Sequence, residues 1–155
     1  MQLVDAASLS DGGLEQILSF LRAGGVIAFP TDTAYGLGAD PFNEGAVRRI
    51  FDIKGRSESK PILLLVNSIA MADSIASLSG RALALAERFW PGPLTMILPA
   101  RSSVPNIVTA GTNTVGVRWA DAPFAQRLIG AFQLPITATS ANRTGLPATV
   151  MRAWI

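Results

Sequence analysis

The chain has 155 residues, of which 13 are Lys or Arg and 11 are Asp or Glu, for a formal net charge of +2, and it contains neither cysteine nor histidine. Those absences exclude disulfides, thiolate metal sites, cysteine nucleophiles and Ser-His-Asp hydrolysis, and they remove the commonest zinc ligand. With 49% apolar and 15% charged residues, the chain is expected to form one domain around a sizeable core, and its small net charge argues against extended nucleic-acid binding by bulk charge.

The N-terminal residues Met1 to Asp5 carry no basic stretch followed by an apolar run, so no secretory signal is expected. Leu14, Ile17, Leu18 and Leu21 recur at helical spacing before Gly24-Gly25, which predicts an amphipathic helix over about 11–23. Val26 to Phe29 reads as a short strand covered on both faces, ended by Pro30. Residues Pro30 to Asp40, rich in hydroxyls and glycines, read as a loop. Asn43 is a suitable N-cap for a second helix whose Val47, Ile50 and Phe51 share one face. Lys54 continues that face by one turn, over the edge of the core.

Pro61 to Val66 predicts a strand, and at six residues it is far too short to cross a bilayer. The chain is therefore expected to be soluble and cytoplasmic. A helix is predicted from Arg81 to Trp90, stopped by Pro91-Gly-Pro93, with a strand over Leu94 to Leu98. Thr114 to Trp119 alternates strictly, with Val115, Val117 and Trp119 on one side and Thr114, Gly116 and Arg118 on the other. A further helix carries Phe124, Leu128 and Phe132, and the strand Pro135 to Thr139 leads into Ser140-Ala-Asn142. Repeated alternation of strands and helices predicts an α/β or α+β domain built on a mixed sheet.

Lys54 and Lys60 are the only lysines, and with Arg56 they bracket one seven-residue segment. Two flexible ammonium groups around a guanidinium fork suit phosphate or carboxylate ligands, although the same cluster is compatible with a solvated helix end. No Gly-x-x-x-x-Gly-Lys-Ser/Thr loop occurs, and Gly36-Leu-Gly38 is followed by Pro41 where a dinucleotide fold needs its third glycine. The remaining candidates are the Thr31 to Gly36 loop, Lys54/Arg56/Lys60, Thr114 with Arg118, and Ser140-x-Asn142. Each also reads singly as ordinary turn or surface chemistry. Jointly, all but the pair Thr114 and Arg118 fall at the ends of predicted strands, where open α/β sheets bind ligands.

Pro30-Thr-Asp-Thr-Ala-Tyr-Gly-Leu-Gly38, Lys54-Gly-Arg56, Trp90-Pro-Gly-Pro-Leu-Thr95, Gly116-Val-Arg118 and Thr139-Ser-Ala-Asn142 together resemble the threonylcarbamoyl-AMP synthase family, the YrdC-like proteins. The resemblance implies a twisted mixed β-sheet with flanking helices and a basic concave cavity. It also implies an enzyme that joins L-threonine, bicarbonate and ATP into threonylcarbamoyl-AMP with release of pyrophosphate, for the threonylcarbamoyladenosine modification of tRNA. By the same resemblance, Lys54 and Arg56 would be catalytic. Thr33, Arg118 and Tyr35 would bind threonine, with Arg118 as the carboxylate clamp. Arg56, Lys60, Thr114, Ser140 and Asn142 would bind ATP. No dedicated protein metal site is expected; Mg²⁺ would arrive on the ATP phosphates, with Asp32 as the nearest protein candidate. Expected partners are tRNA or double-stranded RNA and the proteins that transfer threonylcarbamoyl to tRNA, with no membrane.

The resemblance implies further strands beyond Thr149, whereas the sequence runs only to Ile155 and its closing residues Val150 to Ile155 depart from the family pattern. The expectation is a single YrdC-like domain over 1–155, C-terminally shortened relative to the family, with Trp154 and Ile155 as poor cover for the sheet. Two other readings stay open: a non-catalytic module binding nucleotide or RNA, and a carbamoyl-AMP-forming domain like that of hydrogenase-maturation carbamoyltransferases. The acylphosphatase and zinc-finger modules of those carbamoyltransferases have no counterpart in this sequence.

Overall fold

The computed structural model describes residues 5–145 and 147. The expectations placed on Thr149 and on Val150 to Ile155 lie outside those residues. Six strands and six helices follow in the order α1 Asp11–Arg22, β1 Ile27–Pro30, β2 Tyr35–Gly38, α2 Glu44–Lys54, β3 Leu63–Leu65, α3 Ile69–Ile75, α4 Arg81–Phe89, β4 Met96–Pro99, α5 Asn106–Thr109, β5 Thr114–Arg118, α6 Pro123–Phe132 and β6 Ile136–Ser140. The strands form one open mixed sheet in the order β1-β2-β6-β3-β5-β4. Only β3 and β5 are parallel; the other neighbours run antiparallel. No helix among the described residues is long and apolar enough to cross a membrane.

Side-chain caps open the first two helices, at Asn43 as expected and at Ser10, which was not among the expected caps. Ser10 Oγ accepts from Gly13 N at 3.2 Å and Asn43 Oδ1 accepts from Ala46 N at 3.1 Å, each satisfying an N–H that the first turn leaves unpaired. Leu14, Leu18 and Leu21 bury the inner stripe of α1. At the far end of α2 the chain turns through Gly55 in the left-handed region, φ 56°, so that Arg56 N closes the helix on Phe51 O at 3.0 Å.

Two cores lie on opposite sides of the sheet. One gathers Val47, Ile50 and Phe51 of α2 with Leu64, Val115 and Val117. The other gathers α1 and α6 with Phe29, Leu65, Ile136 and Ala138. This split explains the pattern of β3, because adjacent Leu64 and Leu65 feed different cores, while Ile136 and Ala138 of β6 alternate onto one. Thr137 is the polar exception: fully buried, it accepts Ala39 N through Oγ1 at 2.8 Å, tying β6 to the segment that leaves β2.

The expected loop from Pro30 to Asp40 contains a strand, β2, paired to both β1 and β6. Glycine hides it from a propensity reading, and packing requires the glycine. A Cβ on Gly38 would stand 2.6 Å from Phe29 Cε1 and 3.0 Å from Ile136 Cδ1. The aromatic ring lies flat against a strand that can have no side chain there. The short helices α3 and α5 also lie outside the expected elements; α3 is opened by Ser68, whose Oγ accepts Met71 N at 3.0 Å.

A candidate anion site at the strand ends

Lys54, Arg56, Lys60, Ser140, Asn142, Thr144 and Gly145 line one polar cavity of about 310 Å³. The cluster read from sequence as a basic segment and the Ser-x-Asn turn read separately thus meet across 86 residues of chain. Helix α2 carries Lys54 on its buried face, so the side chain passes under the turn that follows β6. The residue is 3% exposed. Its Nζ donates to the main-chain oxygen of Ser140, to Asn142 O at 2.8 Å and to Asn142 Oδ1 at 3.1 Å, with Ser140 Oγ at 3.4 Å.

Burial, and after it the Arg56 charge, pushes the Lys54 pKa below the usual 10.5. The oxygens around Nζ oppose that shift, because the charged ammonium form has more hydrogens to offer them than the neutral amine. Lys54 therefore organises the Ser140–Asn142 turn as much as it charges the cavity. In return, Thr144 N donates to Lys54 O at 2.9 Å.

Arg56 sits two residues on, where the left-handed Gly55 redirects the chain. Its Nη1 donates to Thr139 Oγ1 at 3.1 Å and its Nη2 to Pro61 O at 2.7 Å. Its Nε is buried with no partner among the described residues. Burial lowers its pKa below the usual guanidinium value, but a guanidinium keeps its proton at any physiological pH. A fixed guanidinium fork beside a lysine, with N–H donors left over from Thr139 and Pro61, is suited to an oxyanion. Lys60 is exposed on the rim, with its main-chain N bonded to Ser57 O at 3.2 Å.

The sheet register separates the other candidates. Ser140 and Ala138 share a face of β6, Ala138 pairs with Leu63, and Leu65 pairs with Arg118, so Ser140, Thr114 and Arg118 all face the same side of the sheet. Thr114 and Arg118 stand at opposite ends of β5, roughly 13 Å apart at the usual strand rise. Tyr35 shares its face with Leu37, which pairs with Thr139. Tyr35 and Thr139 thus belong to the opposite side from Arg118.

Thr114 Oγ1 lies 3.0 Å from Thr112 Oγ1, and Thr33 Oγ1 lies 3.2 Å from Thr31 Oγ1. Neither threonine, nor Tyr35 or Arg118, lines the 310 Å³ cavity. Arg118 has its own environment. Its Nε donates to Gly92 O at 3.1 Å and its Nη2 meets Asp32 Oδ2 at 2.5 Å, with the two side chains 11% and 18% exposed.

Asp32, the nearest protein candidate for a metal, thus spends its carboxylate on Arg118. No group of three or more His, Cys, Asp or Glu residues able to hold a metal occurs among the described residues. The sequence reading did not single out Thr139, Gly92, Thr144 or Gly145. Thr139 had a signal, since it alternates with Thr137 in an otherwise apolar strand. Gly92 and Gly145 act through backbone position, which no residue type announces.

A larger cleft of about 390 Å³ between α1 and α2 is lined by Phe20, Gly25, Val26, Arg49, Asp52 and Ile53. It is mainly apolar, and Arg49 is already bound to Gly24 O at 2.8 Å. The polar, convergent side chains lie in the smaller cavity, which is the better ligand site.

An open mixed sheet with a basic, hydroxyl-lined cavity at its strand ends is an α/β arrangement whose chemistry suits anionic ligands. The Sua5_yciO_yrdC family, described as "Telomere recombination", matches residues 19–153, and the chain belongs to that family. It is 44% identical over 130 residues to the threonylcarbamoyl-AMP synthase of Pyrococcus abyssi, covering 83% of this chain and 38% of that protein. It is 39% identical over 150 residues to the threonylcarbamoyl-AMP synthase of Bacillus subtilis, covering 96% of this chain and 43% of that one. The crystal structure of P. abyssi Sua5 complexed with L-threonine superposes with a TM-score of 0.86 at 38% identity, over 96% of this chain and 42% of that one. The chain therefore spans about two fifths of the length of these relatives.

Proposed function

We propose that the chain is the catalytic fold of a threonylcarbamoyl-AMP synthase. The observation that carries this reading is the convergence of Lys54, Arg56 and Lys60 with Ser140 and Asn142 on one polar cavity. Arg118 stands on the sheet face that Ser140 shares. The relatives' names and the threonine complex of one of them support the same assignment.

In this reading ATP lies with its phosphates against Arg56, Lys60 and the hydroxyls of Ser140 and Thr114, and enters with Mg²⁺ as part of the substrate. Arg118 holds the threonine carboxylate, with Thr33 beside it. The threonine amine attacks the carbon of bicarbonate and water leaves, giving a carbamate. A carbamate oxygen then attacks the α-phosphorus of ATP, and the bond to the departing pyrophosphate breaks.

Neither step needs a protein nucleophile, which suits a sequence with no cysteine or histidine. The protein's part is to orient two anionic reactants and to stabilise charge on the phosphate oxygens. The product would serve threonylcarbamoyl transfer to tRNA by separate proteins, in the cytoplasm.

The test is pyrophosphate release from ATP by the purified chain, with threonine and bicarbonate each omitted in turn. Dependence on both supports the synthase. Release that ignores threonine refutes the synthase assignment, and none from folded protein that still binds ATP leaves the non-catalytic nucleotide-binding reading in its place.

A further inference from the structure

The ion pair between Asp32 and Arg118 joins distant parts of the sheet. Asp32 lies in the connection between β1 and β2, and Arg118 ends β5, with β6 and β3 between them in the strand order. To make the 2.5 Å contact, the connection must lean over two intervening strands. It is stiff enough to do so. Thr31 Oγ1 donates to Ala34 O at 2.6 Å and accepts from Ala34 N at 3.2 Å and Thr33 N at 3.3 Å, a compact hydroxyl-centred turn that presents Asp32 outward.

The guanidinium is fixed independently. Arg118 Nε is held by Gly92 O, so the fork keeps its direction whether or not Asp32 is present. Asp32 engages it through a single pair of atoms, Oδ2 on Nη2. A carboxylate on a pre-aimed guanidinium is the same chemical arrangement that a bound amino-acid carboxylate would make.

We propose that Asp32 is a specificity-determining residue: its carboxylate is a built-in occupant of Arg118 that a ligand displaces only with an anionic group of its own, as the carboxylate of threonine can. This rests on the reading of Arg118 as the clamp for the substrate carboxylate. An amine or amino alcohol that lacks a carboxylate cannot replace the charge that Asp32 removes, and would leave Arg118 unpaired at a position only 11% exposed. A ligand that carries one exchanges ion pair for ion pair and frees the 31–34 turn from β5. Self-occupancy lowers the apparent affinity for the true ligand, because only the displaced fraction is competent to bind.

The experiment is calorimetric titration of the whole chain with L-threonine and with L-threoninol, which lacks the carboxylate. Wild type is compared with Asp32→Asn, Asp32→Ala and Arg118→Gln, each checked for an unchanged melting profile. Both Asp32 variants should bind threonine more tightly, by about three- to tenfold, while threoninol gains nothing from either change. Arg118→Gln should lose threonine binding. If Arg118→Gln loses threonine but the Asp32 variants bind it equally or more weakly, the built-in occupant is refuted and the clamp stands. If Arg118→Gln still binds threonine like wild type, the clamp itself is wrong and the inference goes with it. A pair of Asp32 variants that fail to fold would show that the carboxylate is a structural tie that no ligand displaces, which also overturns the proposal.

Discussion

Lys54 Nζ and Asn142 are joined twice, through the main-chain oxygen at 2.8 Å and the side-chain oxygen at 3.1 Å. That contact closes the last turn of α2 onto the chain leaving β6, and it converts two separate sequence signatures into one wall of a cavity. It also gives Lys54 a structural task that its charge alone does not reveal.

Replacing Lys54 by Ala should therefore damage more than ligand binding. The oxygens of Ser140 and Asn142 would lose their shared donor in a part-buried site, at a cost of about 1–3 kcal/mol. Urea titration should show that loss in the absence of ATP, together with weakened ATP binding. An unchanged unfolding midpoint would mean that Lys54 contributes only charge.

The pH dependence of stability provides a separate check on the same residue. Burial first, and Arg56 second, hold the folded-state pKa of Lys54 below 10.5. The unfolded chain then binds this proton more tightly than the folded chain. The cost is fully present below the folded pKa and is relieved as pH climbs towards 10.5, so stability rises with pH across that alkaline window. Wild type should gain on Lys54→Met over that range in denaturant titrations at stepped pH. Parallel curves would show that the ammonium titrates as it does in the unfolded chain.

Arg56 separates charge from geometry. Arg56→Lys retains a cation but loses the fork that spans Thr139 Oγ1 and Pro61 O, and it removes the buried, unpartnered Nε. ATP affinity should fall on the order of tenfold in Arg56→Lys and further in Arg56→Ala. Both variants should keep cooperative melting. Equal affinity in Arg56→Lys and wild type would reduce the site to a simple positive field.

Gly38→Ala tests the packing that shapes the sheet. The new methyl would meet Phe29 at 2.6 Å, and Phe29 is 1% exposed and has no free space to retreat into. A loss of about 1–3 kcal/mol is expected, with substantial recovery in the double variant that also carries Phe29→Leu. Full stability in Gly38→Ala alone would show that the ring moves freely.

Much of this protein can be read from residue order, for identifiable reasons. Asn43 marks a helix start through a local hydrogen bond, and the strict alternation of Thr114 to Trp119 marks a strand, because these signals act within a few residues. Strand β2 could not be read in the same way. Its Gly36 and Gly38 argue locally for a loop, and only the ring of Phe29 on the neighbouring strand explains why Gly38 bears no side chain.

The residues that can meet an anion were also legible, since Lys54, Arg56 and Lys60 stand out in a chain that otherwise uses arginine. Helical spacing already placed Lys54 on the face of α2 that meets the core, but sequence positions did not determine which partners these groups meet. Tertiary structure turned Lys54 inward onto Ser140 and Asn142, set Tyr35 on the sheet face opposite Arg118, and closed Arg118 with Asp32 rather than leaving either free. Spacing along a chain reports the chemistry available and the periodicity of the backbone. Which groups are spent on one another depends on strand order and register, and those arise only when distant segments pack.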